Sequence, residues 1–217
     1  MSIAVLSRSL NFPEARQARR DGLVAIGGDL SVDRLLLAYK SGVFPWTVDP
    51  ISWWSPDPRA ILELDRLHIP ESLKKILRKN VFEVTIDRAF AQVIENCAKA
   101  PGRAETWITR EFIDAYTRLH ERGCAHSLEC WRAGELVGGI YGVGIGGFFA
   151  GESMFHLAPN SSKVALCHLV RHLRERDFAL LDIQMLTPVT KQMGGITIPR
   201  DQYLDRLKAA IQLRRSF

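Results

Sequence analysis

Glu152 lies in the run Phe148-Phe149-Ala150-Gly151-Glu152-Ser153-Met154-Phe155, a carboxylate inside an apolar, aromatic-rich strand candidate. Burying a carboxylate there is costly unless something pairs with it. Leu180-Leu181-Asp182-Ile183-Gln184-Met185-Leu186 repeats the pattern, with an acid and an amide among large apolar residues. Residues two apart on a strand share a face. Asp182 and Gln184 should therefore point together, as should Ala150, Glu152 and Met154. If the two strands are close in one sheet, Glu152, Asp182 and Gln184 converge at one end. Two carboxylates and an amide accept hydrogen bonds, so this trio suits an ammonium or amine ligand. A single buried acid is more often a satisfied ion pair than a functional group. Two intrusions of the same kind favour one prepared polar site.

Other residues could do different chemistry, and each has a plainer role to set beside it. Ser153 lacks the G-x-S-x-G elbow and any arranged His-Asp partners, so it is a poor nucleophile candidate. His168 and His172 are four apart on a helix, but no third or fourth ligand is spaced to join them, so no metal is expected. Gly144-Ile145-Gly146-Gly147 joins two strands and reads as a hairpin turn, not a phosphate loop. Trp46 and Trp53-Trp54 lie in a proline-fixed stretch, where an indole can act as a platform for a nucleobase. Such stacking is worth about 1–3 kcal/mol per base. Core packing is the usual role of any one tryptophan, Trp107 and Trp131 included. Lys74, Lys75, Arg78 and Lys79, with Arg16, Arg19 and Arg20, offer cations for phosphates, against the ordinary role of such a run as a solvated helix face.

The elements that must position these residues can be read coarsely. With 217 residues, 47% of them apolar, and a net charge of +5, the chain is a globular protein with ample core, mildly suited to a polyanionic partner. Cys97, Cys124, Cys130 and Cys167 form no C-x-x-C pair and read as reduced thiols of a cytoplasmic protein. No apolar run is long enough to span a membrane, and no signal-like segment opens the chain. Residues 1–59 are expected to form a small N-terminal domain. Ser31 caps a helix from Val32 to Lys40 that Gly42 stops, and a rigid, extended Trp- and Pro-rich linker follows. Residues 60–217 then read as strand, helix, strand, helix, helix, a three-strand meander, helix, strand, helix, strand and a final helix from Tyr203 to Arg215. A meander followed by helix and strand is an α+β arrangement with a mixed, mostly antiparallel sheet. It resembles the acyltransferase fold of the N-acetyltransferase superfamily. That fold binds coenzyme A through backbone amides after its fourth strand. Here the corresponding turn, His156 to Ser162, has a proline and no glycine, which argues against a pyrophosphate cradle.

Phe44-Pro45-Trp46, Trp53-Trp54-Ser55-Pro56-Asp57-Pro58-Arg59, Thr106-Trp107-Ile108-Thr109-Arg110, Gly151-Glu152-Ser153-Met154-Phe155 and Leu181-Asp182-Ile183-Gln184 together resemble the bacterial leucyl/phenylalanyl-tRNA–protein transferases, over nearly the whole chain and in order. The resemblance implies an enzyme that moves Leu or Phe, with Met a further candidate, from aminoacyl-tRNA to the α-amine of proteins beginning with Arg or Lys. The product is an N-end rule degradation signal. It implies that Asp182 orients the amine, that Gln184 aligns it or relays a proton, and that Glu152 organises the pair. Trp46 and Trp107 match positions that meet the terminal adenosine. An apolar aminoacyl pocket is implied at Ile140, Phe149, Met154, Leu166, Leu169 and Leu181. The partners implied are Leu-tRNA, Phe-tRNA and the acceptor protein, with the enzyme a monomer; neither metal nor coenzyme A is implied. A coenzyme A-dependent N-acetyltransferase is the alternative, and a non-catalytic RNA-binding module a third.

Overall fold

The computed structural model describes residues 3–99 and 106–217. Four strands, Ala4–Leu6 (β1), Leu23–Gly27 (β2), Phe44–Val48 (β3) and Ile51–Trp54 (β4), form a small sheet in the order β1-β2-β4-β3. The helix Val32–Lys40 (α1) connects β2 to β3, and the Ser31 hydroxyl accepts a hydrogen bond from the Arg34 N–H at its start. Gly42 ends it at φ +76°. A Cβ at Gly42 would also crowd Leu204 Cδ2, a flexible side-chain end that can move, so it is the left-handed conformation that calls for glycine. The Trp- and Pro-rich stretch is extended as expected, but it is not a linker: β3 and β4 are a hairpin of this sheet. Pro45 is tolerated because β3 is an edge strand, and Phe44 and Trp53 are buried as core.

The remaining strands are Arg59–Leu62 (β5), Glu83–Ile86 (β6), Ala125–Arg132 (β7), Glu135–Ile145 (β8), Phe148–His156 (β9), Leu180–Gln184 (β10) and Ile196–Ile198 (β11). They form one sheet in the order β11-β5-β10-β9-β8-β7-β6. Within it only the β9–β10 pairing is parallel, so the α+β class with a mixed, mostly antiparallel sheet is the one observed. The helices are Glu71–Arg78 (α2), Phe90–Ala98 (α3), Arg110–Glu121 (α4), Ser161–Glu175 (α5), Pro188–Gln192 (α6) and Arg200–Ala210 (α7). The last begins and ends earlier than its sequence pattern suggests.

Both faces of the large sheet are covered, which explains the near-continuous apolar strands. On one side Val93, Phe112, Tyr116, Tyr141 and Tyr203 share a core with Leu35, Tyr39, Phe44 and Trp53 from the small sheet and α1. On the other, Leu73 of α2 and Leu166 and Leu169 of α5 pack over Ile140, Phe149 and Leu181.

Two register slips break the strict alternation expected for β9 and β10. Tyr141 pairs with Ser153 and Gly142 with Gly151, leaving Glu152 without an opposite residue. Asp182 pairs with Ile61 and Gln184 with Ala60, leaving Ile183 as the extra residue. Bulges of this kind re-aim side chains, and a one-residue slip exchanges faces. Met154 accordingly packs with Phe149, not with Ala150 as alternation implied.

Candidate active site

Arg59 and Asp182, both fully buried, form the base of the site. Arg59 Nε donates to Asp182 Oδ1 at 2.9 Å and Nη2 to Oδ2 at 2.7 Å. Tyr203 Oη donates to Oδ2 at 2.8 Å, and the Gln184 backbone N–H to Oδ1 at 2.8 Å. Arg59 further donates to the Gly42 carbonyl at 3.3 Å and lies between the rings of Phe44 and Tyr203. Burial opposes its charge, but Asp182 outweighs that cost and leaves the guanidinium more firmly protonated than usual. Four donors therefore converge on Asp182, the arrangement a buried carboxylate needs.

Glu152 stands above this base, half-buried, with its carboxyl turned inward. Gln184 Nε2 donates to Oε1 at 2.7 Å and Tyr116 Oη to Oε2 at 3.1 Å. Tyr39 Oη is 2.5 Å from Tyr116 Oη, so the chain of donors runs from Tyr39 through Tyr116 to the carboxylate. Desolvation pushes Glu152 up to about 7 and Asp182 adds to the rise, while the tyrosines and Gln184 oppose it. Burial also holds the Tyr39, Tyr116 and Tyr203 phenols protonated well above their usual range. Because the Gln184 amide N–H is committed to Glu152, its Oε1 remains to accept from a ligand. Gln184 holds φ +58°, a left-handed conformation at the end of β10. Such strain persists where the surroundings over-determine it, here through the bond from its N–H to Asp182.

Glu152 and Gln184 open onto a cleft of about 620 Å³. Ile140, Met154, Leu166 and Ile183 give it an apolar wall, and Phe44, Trp46 and Trp107 line it as well. The ring of Trp46 lies 6.0 Å from Phe44, and Trp107 packs edge-on to Phe112 at 5.3 Å. His156, Asn160, Ser162 and Lys163 line the cleft where β9 passes into α5.

The structure thus brings together Glu152, Gln184, Trp46, Trp107, Ile140, Met154 and Leu166. Asp182 is one residue layer below: it reaches Gln184 but does not line the cleft, since its oxygens are taken by Arg59, Tyr203 and the Gln184 N–H. Phe149, Leu169 and Leu181 are buried in the cluster behind the apolar wall and are not on its surface. Trp53 is no base platform; it is core, with Nε1 donating to the Gly27 carbonyl at 2.8 Å. Lys74, Lys75, Arg78 and Lys79 project from α2 into solvent away from the cleft lining. Arg16 is paired with Asp201 and Asp205. His168 and His172 belong to no cluster of metal-ligating side chains among the described residues.

Sequence reasoning missed Arg59, Tyr39, Tyr116, Tyr203 and Ile183. Arg59 had one usable signal, a cation directly preceding an apolar strand. The tyrosines had none, since buried phenols and packing phenols look alike in sequence.

The mixed sheet thus places a hydrogen-bonded amide in a left-handed conformation at the edge of an apolar cleft. Residues 61–208 match the family described as leucyl/phenylalanyl-tRNA protein transferase, and residues 28–57 match its N-terminal domain. The chain is similar to proteins of that name from Desulforapulum autotrophicum (47% identical, covering 98% of this chain and 94% of that one). It is also similar to those from Magnetococcus marinus (50%, covering 92% and 88%) and Syntrophobacter fumaroxidans (51%, covering 95% and 90%). Among solved structures, a ribosomal-protein-alanine N-acetyltransferase from Brucella melitensis aligns over 52% of this chain and 85% of that one, at 17% identity and a TM-score of 0.35. The chain belongs to the leucyl/phenylalanyl-tRNA–protein transferase family, and is a tRNA-dependent aminoacyltransferase.

Proposed function

We propose that this chain transfers Leu or Phe from the 3′ end of aminoacyl-tRNA to the α-amine of proteins that begin with Arg or Lys, acting as a monomer in the cytoplasm. The observation that carries this reading is Gln184, an amide with its N–H tied to Glu152 and its carbonyl oxygen at the cleft beside an apolar wall. No helix of the described residues is long and apolar enough to cross a membrane.

In the reaction the acceptor nitrogen attacks the ester carbonyl carbon. The new C–N bond forms as the bond to the ribose oxygen breaks, and the nitrogen's proton ends on that oxygen. An α-amine has a pKa of about 7.7–8.0, so part of it is already neutral near pH 7. Alignment of amine and ester then supplies most of the acceleration, and positioning alone is worth about 7–11 kcal/mol at best. Gln184 Oε1 accepts one N–H of the amine and aims its lone pair. Glu152 holds the Gln184 side chain, and Asp182 holds the Gln184 backbone; both are positioning residues. Ile140, Met154, Leu166 and Ile183 receive the aminoacyl side chain, with Phe149, Leu169 and Leu181 stiffening the wall from behind. Trp46 and Trp107 receive the terminal adenosine, and the cations of α2 meet the tRNA body.

Incubation with Leu-tRNA and an Arg-starting peptide should give Leu-Arg-peptide by mass spectrometry. No product at high enzyme concentration would remove the reading. Acetyl transfer from acetyl-coenzyme A to the same peptide would replace it with the acetyltransferase alternative.

A further inference from the structure

The first turn of α5 carries a set of donors for which the transfer chemistry has no use. Ser161 anchors the turn: its Oγ donates to the Val137 and Ala158 carbonyls at 2.7 and 2.8 Å, and its N–H to the Ala158 carbonyl. Its own carbonyl accepts from the Cys130 thiol. Val164 N–H returns to the Asn160 carbonyl at 2.9 Å. Between them the N–H groups of Ser162 and Lys163 have no acceptor among the described residues. Neither does the Ser162 hydroxyl, although Ser162 is only 6% exposed and lines the cleft. The residue is nearly buried, but its Oγ is not one of the fully enclosed unpaired polar atoms; it opens to the cleft, where a ligand can reach it.

Lys163, the next residue, also lines the cleft; its Nζ donates to Gln192 Oε1 at 3.1 Å and keeps further donors for another partner. The first turn of α5 has no acidic residue, and Glu152 is the one carboxylate of the cleft wall among the described residues. Two backbone N–H groups at the positive end of a 15-residue helix, a hydroxyl and an ammonium make a donor set for a single anion. Pro159 and the bonded Ser161 N–H leave too few free amides for a pyrophosphate, whereas one phosphodiester needs no more than these.

We propose that the Ser162–Lys163 turn binds the phosphate on the 5′ side of the donor's terminal adenosine, fixing the ester's distance from Gln184. The phosphate is the only anion the aminoacyl end carries next to that nucleoside. This rests on the transfer reading for the identity of its ligand, but the site can be tested without any transfer.

Titration calorimetry with adenosine and with 5′-AMP measures the phosphate's contribution directly. In the wild type, 5′-AMP should bind at least about tenfold more tightly, the worth of one charge-assisted hydrogen bond. Ser162→Ala and Lys163→Met should each lower that ratio by about threefold or more, and the double variant should bring it near one. A structural defect would weaken both ligands alike and leave the ratio standing. Equal binding of the two ligands by the wild type, or an unchanged ratio in the double variant, would overturn the proposal. The same ratio is then read as kcat/KM with 3′-O-leucyl-adenosine and its 5′-phosphate as donors, where the same tenfold preference is expected. An AMP preference without any transfer product would overturn the transfer reading and leave the phosphate site in place.

Discussion

Glu152→Gln separates the two roles a buried acid at this cleft could have. The replacement has the same shape, so the test concerns charge and hydrogen bonding alone. The introduced amide can turn its carbonyl oxygen to Gln184 Nε2, now 2.7 Å from Glu152 Oε1, and its nitrogen to Tyr116. The Tyr116 hydroxyl can then accept from it and donate to Tyr39, which lies 2.5 Å away. Gln184 stays held, but by a neutral bond in place of a charge-assisted one, a loss of about 1 kcal/mol. At pH 8 the turnover should fall by about fivefold to tenfold. Removal of the acceptor in Glu152→Ala leaves Gln184 free to swing, and a misplacement of that kind costs about a hundredfold.

Stability should move the other way. The native carboxyl keeps its proton up to about 7, against an ordinary 4.5, so the folded state binds the proton more tightly than the unfolded chain does. Stability is therefore lost as the pH rises from about 4.5 to about 7 and stays lost above it. At about 1.4 kcal/mol per tenfold, the loss is up to about 3 kcal/mol. The Glu152→Gln variant has no proton to lose at this position. After about 1 kcal/mol for the weaker hydrogen bond, it should be about 2 kcal/mol more stable at pH 8, or about 4–8 °C in Tm for a chain of this size. The gain should be gone by pH 4.5. A calorimetric scan at both pH values and a peptide-transfer assay measure the two effects. A loss of activity beyond about a thousandfold is the signature of a removed proton-transfer group and would refute the positioning role. A Tm at pH 8 no higher than wild type would refute the burial argument.

The other positions make separate predictions. Asp182→Asn places an amide against donors on both sides and leaves Arg59 buried without its counter-charge, so it should cost about 3–5 kcal/mol in denaturant unfolding; a loss under about 1 kcal/mol would show that the pair contributes little to the fold. Trp46→Ala and Trp107→Ala should each raise the KM for leucyl-adenosine by about 5- to 150-fold, the range of one stacked base, with little change in Tm. Replacing Lys74, Lys75, Arg78 and Lys79 together by Glu should weaken transfer from full-length Leu-tRNA and flatten its salt dependence while leaving transfer from leucyl-adenosine intact; equal effects on both donors would move the tRNA body elsewhere. Gln184→Glu should slow transfer at pH 7 by about a hundredfold and shift the optimum to higher pH, measured as a pH–rate profile.

The strand order along the chain, the meander and most helices are legible in the sequence because apolar periodicity and Gly or Pro stops report local structure directly. Glu152, Asp182 and Gln184 are legible as polar breaks in apolar strands. How they meet is not. Strict alternation places Met154 beside Ala150, and only the bulge at Glu152 reverses that. Nothing in a single sequence announces a register slip whose partner strand is distant in the chain. Arg59 is visible as a cation before a strand, but its partner Asp182 is 123 residues away. The apolar pocket is narrower than its sequence suggests for the same reason: Phe149, Leu169 and Leu181 are apolar like Ile140 and Leu166, and only packing decides which of them faces the cleft.

On the proposed reaction, the layering of the three polar residues gives the acceptor an amide as its partner, with Glu152 beside Gln184 on the cleft wall and Asp182 beneath it. A carboxylate in contact with the acceptor would stabilise its ammonium form and raise its pKa above the usual value of about 7.7–8.0, withdrawing the nucleophile. An amide carbonyl carries no charge; it accepts a hydrogen bond from the neutral amine without favouring the ammonium form so strongly. An unaided amide, however, is a poor positioning device, since its two ends can exchange and its side chain can turn. Glu152 fixes which end of Gln184 points inward, and Asp182, neutralised by Arg59, fixes the backbone that carries it. On the proposed reaction, Glu152 and Asp182 would act on the acceptor through the orientation they give Gln184.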